Sequence, residues 1–148
     1  MKNHTKSARY INLACGSNYV IHNEWINLDF IEREGVKKTN LMEKLKFSDS
    51  SIDGIYCSHF IEHVPENSII FFLEECRRIL KVGGILRIVV PDFERMTREY
   101  LKHRDSGDDQ KANFMMISII DQFVRKKPGG KLAEFINETI NNDDDELK

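Results

Sequence analysis

Between Tyr10 and Phe30 the chain reads YINLACGSNYVIHNEWINLDF, and this stretch restricts the possible folds more than any other. A short apolar run (Tyr10, Ile11, Leu13, Ala14) stops at Gly16, a residue that tolerates backbone angles closed to others. A second run, Trp25-Ile26-Asn27-Leu28, ends on the acid Asp29. Strand, tight turn, second strand and a carboxylate at its tip is an order that suits a nucleotide or nucleoside cofactor in an open α/β sheet. Small residues let the backbone approach the ligand, and the carboxylate accepts hydrogen bonds from ribose hydroxyls.

The remainder alternates in the same way. Val36 to Leu41 reads as a short third strand, an edge because of Lys37 and Lys38. The turn-rich FSDSSIDG (47–54) runs into Ile55-Tyr56-Cys57-Ser58, a buried strand. Pro65-Glu66-Asn67-Ser68 has the chemistry of a helix start, after which Ile69, Phe72, Leu73, Cys76, Ile79 and Leu80 recur on one face, with Glu74, Glu75, Arg77 and Arg78 outward. Lys81-Val82-Gly83-Gly84 is expected to end that helix. Ile85 to Val90 is apolar apart from Arg87, as in a core strand of a parallel sheet, and Pro91 closes it. Asp92 caps a further helix carrying Phe93, Met96, Tyr100 and Leu101; contact with a substrate at the strand tip explains it equally well. A helix from about Asp108 to Arg125 has Phe114, Ile117, Ile120 and Val124 in register. A last one follows Lys127-Pro128-Gly129-Gly130 with Leu132, Phe135, Ile136 and Ile140. The acidic run Asp143 to Glu146 reads as a solvated tail. No internal repeat and no low-complexity segment is evident.

The fold expected is α/β: a doubly wound, mostly parallel, Rossmann-like sheet of about five strands, with C-terminal helices at the end. A chain of 148 residues forms one domain, here with a core over residues 9–104, a helical extension over 105–141 and an acidic tail over 142–148. Lys plus Arg is 22 against 24 Asp plus Glu, a net charge of −2, so no basic excess marks a nucleic-acid surface. The longest apolar run is five residues, Ile69 to Leu73, far short of the ~20 needed to span a membrane. The N-terminus is charged with no apolar core behind it, so no secretory signal is expected. Cys15, Cys57 and Cys76 are odd in number and lie far apart, as expected of buried thiols in the cytoplasm.

Four stretches together, INLACGS (11–17), WINLDF (25–30), FSDSSIDGIYCSHFIEHVP (47–65) and LEECRRILKVGGILRIVVPD (73–92), resemble the class I S-adenosylmethionine-dependent methyltransferases. The match is to the small, methyltransferase type 11-like group with a short first loop. The resemblance implies S-adenosylmethionine as cofactor. Ala14, Cys15, Gly16 and Ser17 would line its methionine end, Asp29 would bind the ribose, and Phe30 would pack on the adenine. Asn40 and Leu41 sit where the family offers an aspartate to the adenine amino group. Ser58 and His59 would lie beside the sulfonium, and His59 or His63 would take the proton of a hydroxyl acceptor. The acceptor implied is a small molecule.

The chain departs from that family at several points. Only Gly16 of the usual loop glycines is kept, with Ala14 and Asn18 at the other two. Asn40 replaces the acid, and eight residues between Gly16 and Trp25 are too few for the customary helix. Helical periodicity after Asp92 stands in place of the terminal β-hairpin. This leaves Ile85–Val90 an exposed sheet edge, which a second copy in a homodimer or the last helices would cover. A non-catalytic cofactor-binding or pairing subunit is the competing expectation.

His59 to His63 also fits H-x-x-E-H, a zinc-peptidase pattern. That chemistry requires a long helix, and Pro65 follows too soon, so no metal is expected. Glu62 and His63 either act in the chemistry or brace the loop. Phe60 is expected in the core or the pocket wall.

Overall fold

The computed structural model describes residues 9–124, which fall into two compact units divided between Val90 and Pro91. In the first unit five strands form one parallel sheet in the order β3-β2-β1-β4-β5. They are β1 (Tyr10–Leu13), β2 (Trp25–Asp29), β3 (Val36–Lys38), β4 (Ile52–Ser58) and β5 (Leu80–Val89), with helix α1 (Glu66–Ile79) between the last two. The α/β class and five-stranded parallel sheet are as expected.

One sheet face carries Ile11, Leu13, Leu28, Ile55 and Cys57, packed with Phe72, Cys76 and Ile79 of α1 and roofed by Leu41 and Leu45. The three cysteines are free and buried. Burial pushes the thiols of Cys57 and Cys76 up to about 12, so they act as packing groups and not as nucleophiles.

The opposite face shows how the chain dispenses with a helix between β1 and β2. The two strands repeat one pattern, aromatic-Ile-Asn-Leu, and pair in register with Tyr10 beside Trp25 and Asn12 beside Asn27. This short internal repeat had not been expected. The rings stack at 5.2 Å. The Asn27 amide group holds the connecting loop from both sides: its Oδ1 accepts from the Val20 N–H at 2.9 Å and its Nδ2 donates to the Val20 carbonyl at 2.9 Å. Asn12 Nδ2 donates to the Asn18 carbonyl at 3.2 Å. Two buried amides thus bind to the sheet a loop too short to cover it with a helix.

Several boundaries differ from the sequence reading. β3 ends at Lys38, before Asn40 and Leu41, while β4 begins three residues earlier than expected, at Ile52. α1 ends at Ile79, and Leu80 already pairs with Ile52 as the first residue of β5. Lys81 to Gly84 therefore form an irregularity within the strand, not a helix cap, and Gly83 adopts φ +80° there. Glu75, expected at the surface, is buried and paired with Arg78. Among the described residues β5 pairs only with β4, and Ile85 is 70% exposed along it.

In the second unit, α2 (Phe93–Asp105) and α3 (Asp109–Val124) pack on one another. Asp92 caps α2 by accepting from the Arg95 N–H at 2.9 Å, as its position suggested. The packed face of α3 is not the expected one. Ala112 is buried and Met115 and Ile119 half-buried, whereas Phe114, Ile117, Ile120 and Val124 are exposed. Apolar residues lie on several sides of this helix, so periodicity alone does not select the inner one. The last expected helix and the acidic tail lie outside the described residues.

Candidate functional site

Strand order reverses direction between β1 and β4, which are neighbours in space though far apart in sequence. Open α/β sheets bind ligands at the carboxyl ends of strands flanking such a point. Here the backbone is strained on both sides. Ala14, just past β1, has φ +52°, and His59, just past β4, has φ +53°. Left-handed backbone costs a non-glycine residue about 1–2 kcal/mol, and such strain collects at functional sites. Ala14→Gly is accordingly expected to stabilise the fold by up to ~1 kcal/mol, since glycine removes the Cβ clash at a modest entropic cost in the unfolded chain. A lowered melting temperature would show that Ala14 is not strained.

From Ala14 the chain turns through Cys15, with the Asn18 N–H donating back to the Cys15 carbonyl at 3.0 Å. Gly16, also left-handed at φ +56°, has nothing within 4 Å of where a Cβ would stand. Its N–H donates to Asp29 Oδ2 at 2.8 Å, while Oδ1 accepts from the Ile31 N–H at 3.0 Å. The tips of β1 and β2 are thereby tied together through one carboxylate. Arg33, which the sequence reading passed over, closes the arrangement: its Nη1 donates to the Gly16 carbonyl at 3.2 Å and lies 3.8 Å from Asp29 Oδ1. The i,i+4 spacing of Asp29 and Arg33 was the available signal. Burial, followed by the charge of Asp29, pushes the Cys15 thiol up, so it stays neutral.

The other candidates divide. Ser17 and Phe30 are exposed, and the Phe30 ring carries Lys38 Nζ 5.9 Å from its centroid. Ser58 is half-buried at the end of β4. Asn40 is engaged in its own turn, accepting from the Met42 N–H at 3.0 Å and donating to Glu43 Oε1 at 2.8 Å. Leu41 is buried in the core, which leaves only its backbone for a ligand. A crevice of about 540 Å³ lies along β2 and β3, lined by Lys37, Lys38, Lys44 and Lys46 among others. Of the candidate residues only Asn40 borders it, and its cationic lining does not suit a sulfonium.

Past β4, His59, Glu62 and His63 come together. Glu62 Oε1 lies 3.5 Å from His59 Nδ1 and 3.9 Å from His63 Nε2. The only helical element here is a single 3-10 turn, Ile61–His63, not the long helix that zinc-peptidase chemistry requires. Among the described residues no group of three His, Cys, Asp or Glu is placed to hold a metal ion. Phe60 packs edge-on against Phe72 at the margin of the core, their centroids 5.4 Å apart.

A family profile described as a methyltransferase domain matches residues 26–88, from β2 through β5. Over that span the chain is similar to a methyltransferase domain. The class I resemblance drawn from the motifs is borne out by it. None of the curated proteins matches the chain in sequence. Among solved structures, a SAM dependent methyltransferase from Archaeoglobus fulgidus is similar, with 28% identity over 51% of this chain and 41% of its own, and a TM-score of 0.43. A second similar structure is a complex that contains the Haloferax volcanii Trm112 methyltransferase activator. It shows 19% identity over 66% of this chain and 52% of the matched chain, with a TM-score of 0.48. The chain thus spans about half the length of the two chains it matches. Among the described residues no helix is long and apolar enough to cross a membrane.

Proposed function

We propose that this methyltransferase domain binds S-adenosylmethionine at the carboxyl ends of β1, β2 and β4 and directs methyl transfer to a small-molecule acceptor. The observation that carries the reading is the Gly16–Asp29 tie at the reversal of strand order. The residues fit the cofactor. Open space above Gly16 admits a ligand against the backbone, and a carboxylate has about four lone-pair sites, of which backbone N–H groups take two. Ribose hydroxyls take the rest as Arg33 moves aside, and the exposed Phe30 ring is available to adenine.

When bound, the cofactor supplies an already activated methyl group. The chain's own contribution is alignment, which is worth about 7–11 kcal/mol of barrier when geometry is held. Ala14 to Ser17 orient the donor from β1, while His59 or His63 accepts a proton from the acceptor. We assign the protein to the cytoplasm, with neither nucleic acid nor membrane as partner. The second reading, a cofactor-binding or pairing subunit without turnover, draws on the exposed β5 edge, which suits a homodimer.

Calorimetric titration with S-adenosylmethionine and S-adenosylhomocysteine tests the proposal, with the oligomer followed by light scattering. Binding of both is expected, and release of S-adenosylhomocysteine with a suitable acceptor. Failure to bind either removes the enzyme reading. Tight binding without release across hydroxyl, amine, thiol and carboxylate acceptors supports the subunit.

A further inference from the structure

The side chain of Glu62 is 13% exposed, and both of its carboxylate oxygens are shut off from solvent with no hydrogen bond. A carboxylate shut off from bulk solvent without a protein hydrogen-bond donor is costly, because its hydration is lost. The surroundings offer little relief. Cys57 is a buried neutral thiol whose proton Glu62's own charge helps to retain. The ring nitrogens facing Oε1 are those of His59 and His63. His59 is itself held in left-handed backbone, its N–H bonded to the Val89 carbonyl at 2.9 Å, with 46% of its side chain open to solvent. A strained residue thus presents one nitrogen to a buried charge and the rest of its ring to the outside.

We propose that Glu62 is a positioning residue that fixes the tautomer of His59 and makes its outer nitrogen the base for an acceptor that sheds a proton on methylation. A carboxylate only accepts, so the nitrogen turned to it carries hydrogen: Nδ1–H faces Glu62 and Nε2 keeps its lone pair. The inference rests on the reading that S-adenosylmethionine binds at these strand ends. In the step it serves, the acceptor oxygen or nitrogen forms a bond to the methyl carbon as the sulfur–methyl bond breaks. That electron pair goes to sulfur, which becomes neutral. The acceptor's proton passes to His59 Nε2, and the resulting imidazolium lies against the Glu62 carboxylate. The 3.5 Å separation is long for a hydrogen bond, as often holds before substrate binds. An acceptor with no proton to lose, such as a carboxylate, has no use for this arrangement.

The test uses the full chain labelled with ¹⁵N-histidine, at a pH where imidazoles are neutral, with the His59 signals assigned through a His59→Gln variant. Two-bond proton–nitrogen spectra are expected to show His59 as the Nδ1–H tautomer. Glu62→Met, of similar size but unable to accept, is expected to return His59 to the Nε2–H form common in water. Because that variant removes an unsatisfied buried charge, its melting temperature is expected to hold or rise, whereas loss of a structural brace lowers it. His59 in the Nε2–H form in the parent chain, or a tautomer unchanged by Glu62→Met, overturns the proposal. Adding S-adenosylmethionine is expected to shift the His59 ring signals. Confirmed binding with no shift takes His59 away from the reacting centre and overturns the catalytic part. Failure to bind cofactor sinks the functional reading, while the tautomer result stands by itself.

Discussion

Asp29→Ala is expected to weaken S-adenosylmethionine binding by roughly 10²- to 10⁴-fold, the largest effect of any single substitution at the site. Two ribose hydroxyls donating to one carboxylate are worth about 1.5–3 kcal/mol each, because the acceptor is charged. The same side chain also satisfies the Gly16 and Ile31 N–H groups, so alanine loosens the turn as well as removing the ligand contact. Asp29→Asn separates these roles in part. Its amide keeps one accepting oxygen for the turn, loses the charge and sets a donor against the second N–H. It is expected to melt below the parent but above the alanine variant, while binding at least about tenfold more weakly. Calorimetry on both variants, with melting curves taken without ligand, distinguishes a lost ribose contact from a collapsed loop. Alanine at position 29 with an affinity within a factor of a few of the parent would remove Asp29 from the cofactor site.

That the place of Asp29 at the tip of β2 was legible in sequence, and the contacts of Arg33 and Glu75 were not, has a physical basis. Asp29 ends a short apolar strand just as a second strand and a glycine turn make an acid meaningful, and all of that is local. Arg33 matters only because the turn after β2 folds back over Gly16. Glu75 and Arg78 have the spacing of a solvated helix face, and what buries them is a loop about thirty residues away in sequence. The end of α1 is a similar case. Ile79 and Leu80 satisfy helical and strand periodicity alike, and Gly83-Gly84 supplies a plausible cap. The boundary is set by Ser50 and Ser51 donating to the Arg78 and Ile79 carbonyls and by Leu80 pairing with Ile52. Asn12 and Asn27 were legible in principle, since a polar residue at the same place in two matched tetrapeptides marks a paired buried amide. The left-handed angle of Ala14 leaves no trace in composition, because alanine does not favour it, whereas histidine is among the non-glycine residues enriched there and His59 gave at most a weak signal.

Arg78→Ala is expected to cost about 3–5 kcal/mol of stability, a large share of what holds most domains folded. Its guanidinium meets Glu75 Oε1 and Oε2, each at 2.8 Å, and Asp49 Oδ1 at 2.6 Å. It also donates to the Leu45 and Phe47 carbonyls at 3.0 and 2.9 Å. One side chain thereby fastens to α1 the loop whose Leu41 and Leu45 roof the core, and its removal leaves the buried Glu75 carboxylate unpaired. Glu75→Gln is expected to cost less, because an amide in that place carries no charge to bury. The pair also sets an acid limit. Hydrogen bonding from Arg78, working against burial and aided by the Leu45 N–H, holds the Glu75 carboxyl below the usual carboxylate range. Its contribution is therefore fully present above the unfolded value of about 4.3 and drains away as pH falls through the lowered folded value. Urea titrations between neutral pH and the acid limb should show Glu75→Gln with the shallower acid loss. Equal slopes would mean that the Glu75–Arg78 contact does not govern acid stability. Cofactor affinity of the folded fraction should be unchanged in Glu75→Gln, because the amide still holds the roof of the core and takes no part in the Gly16–Asp29 tie.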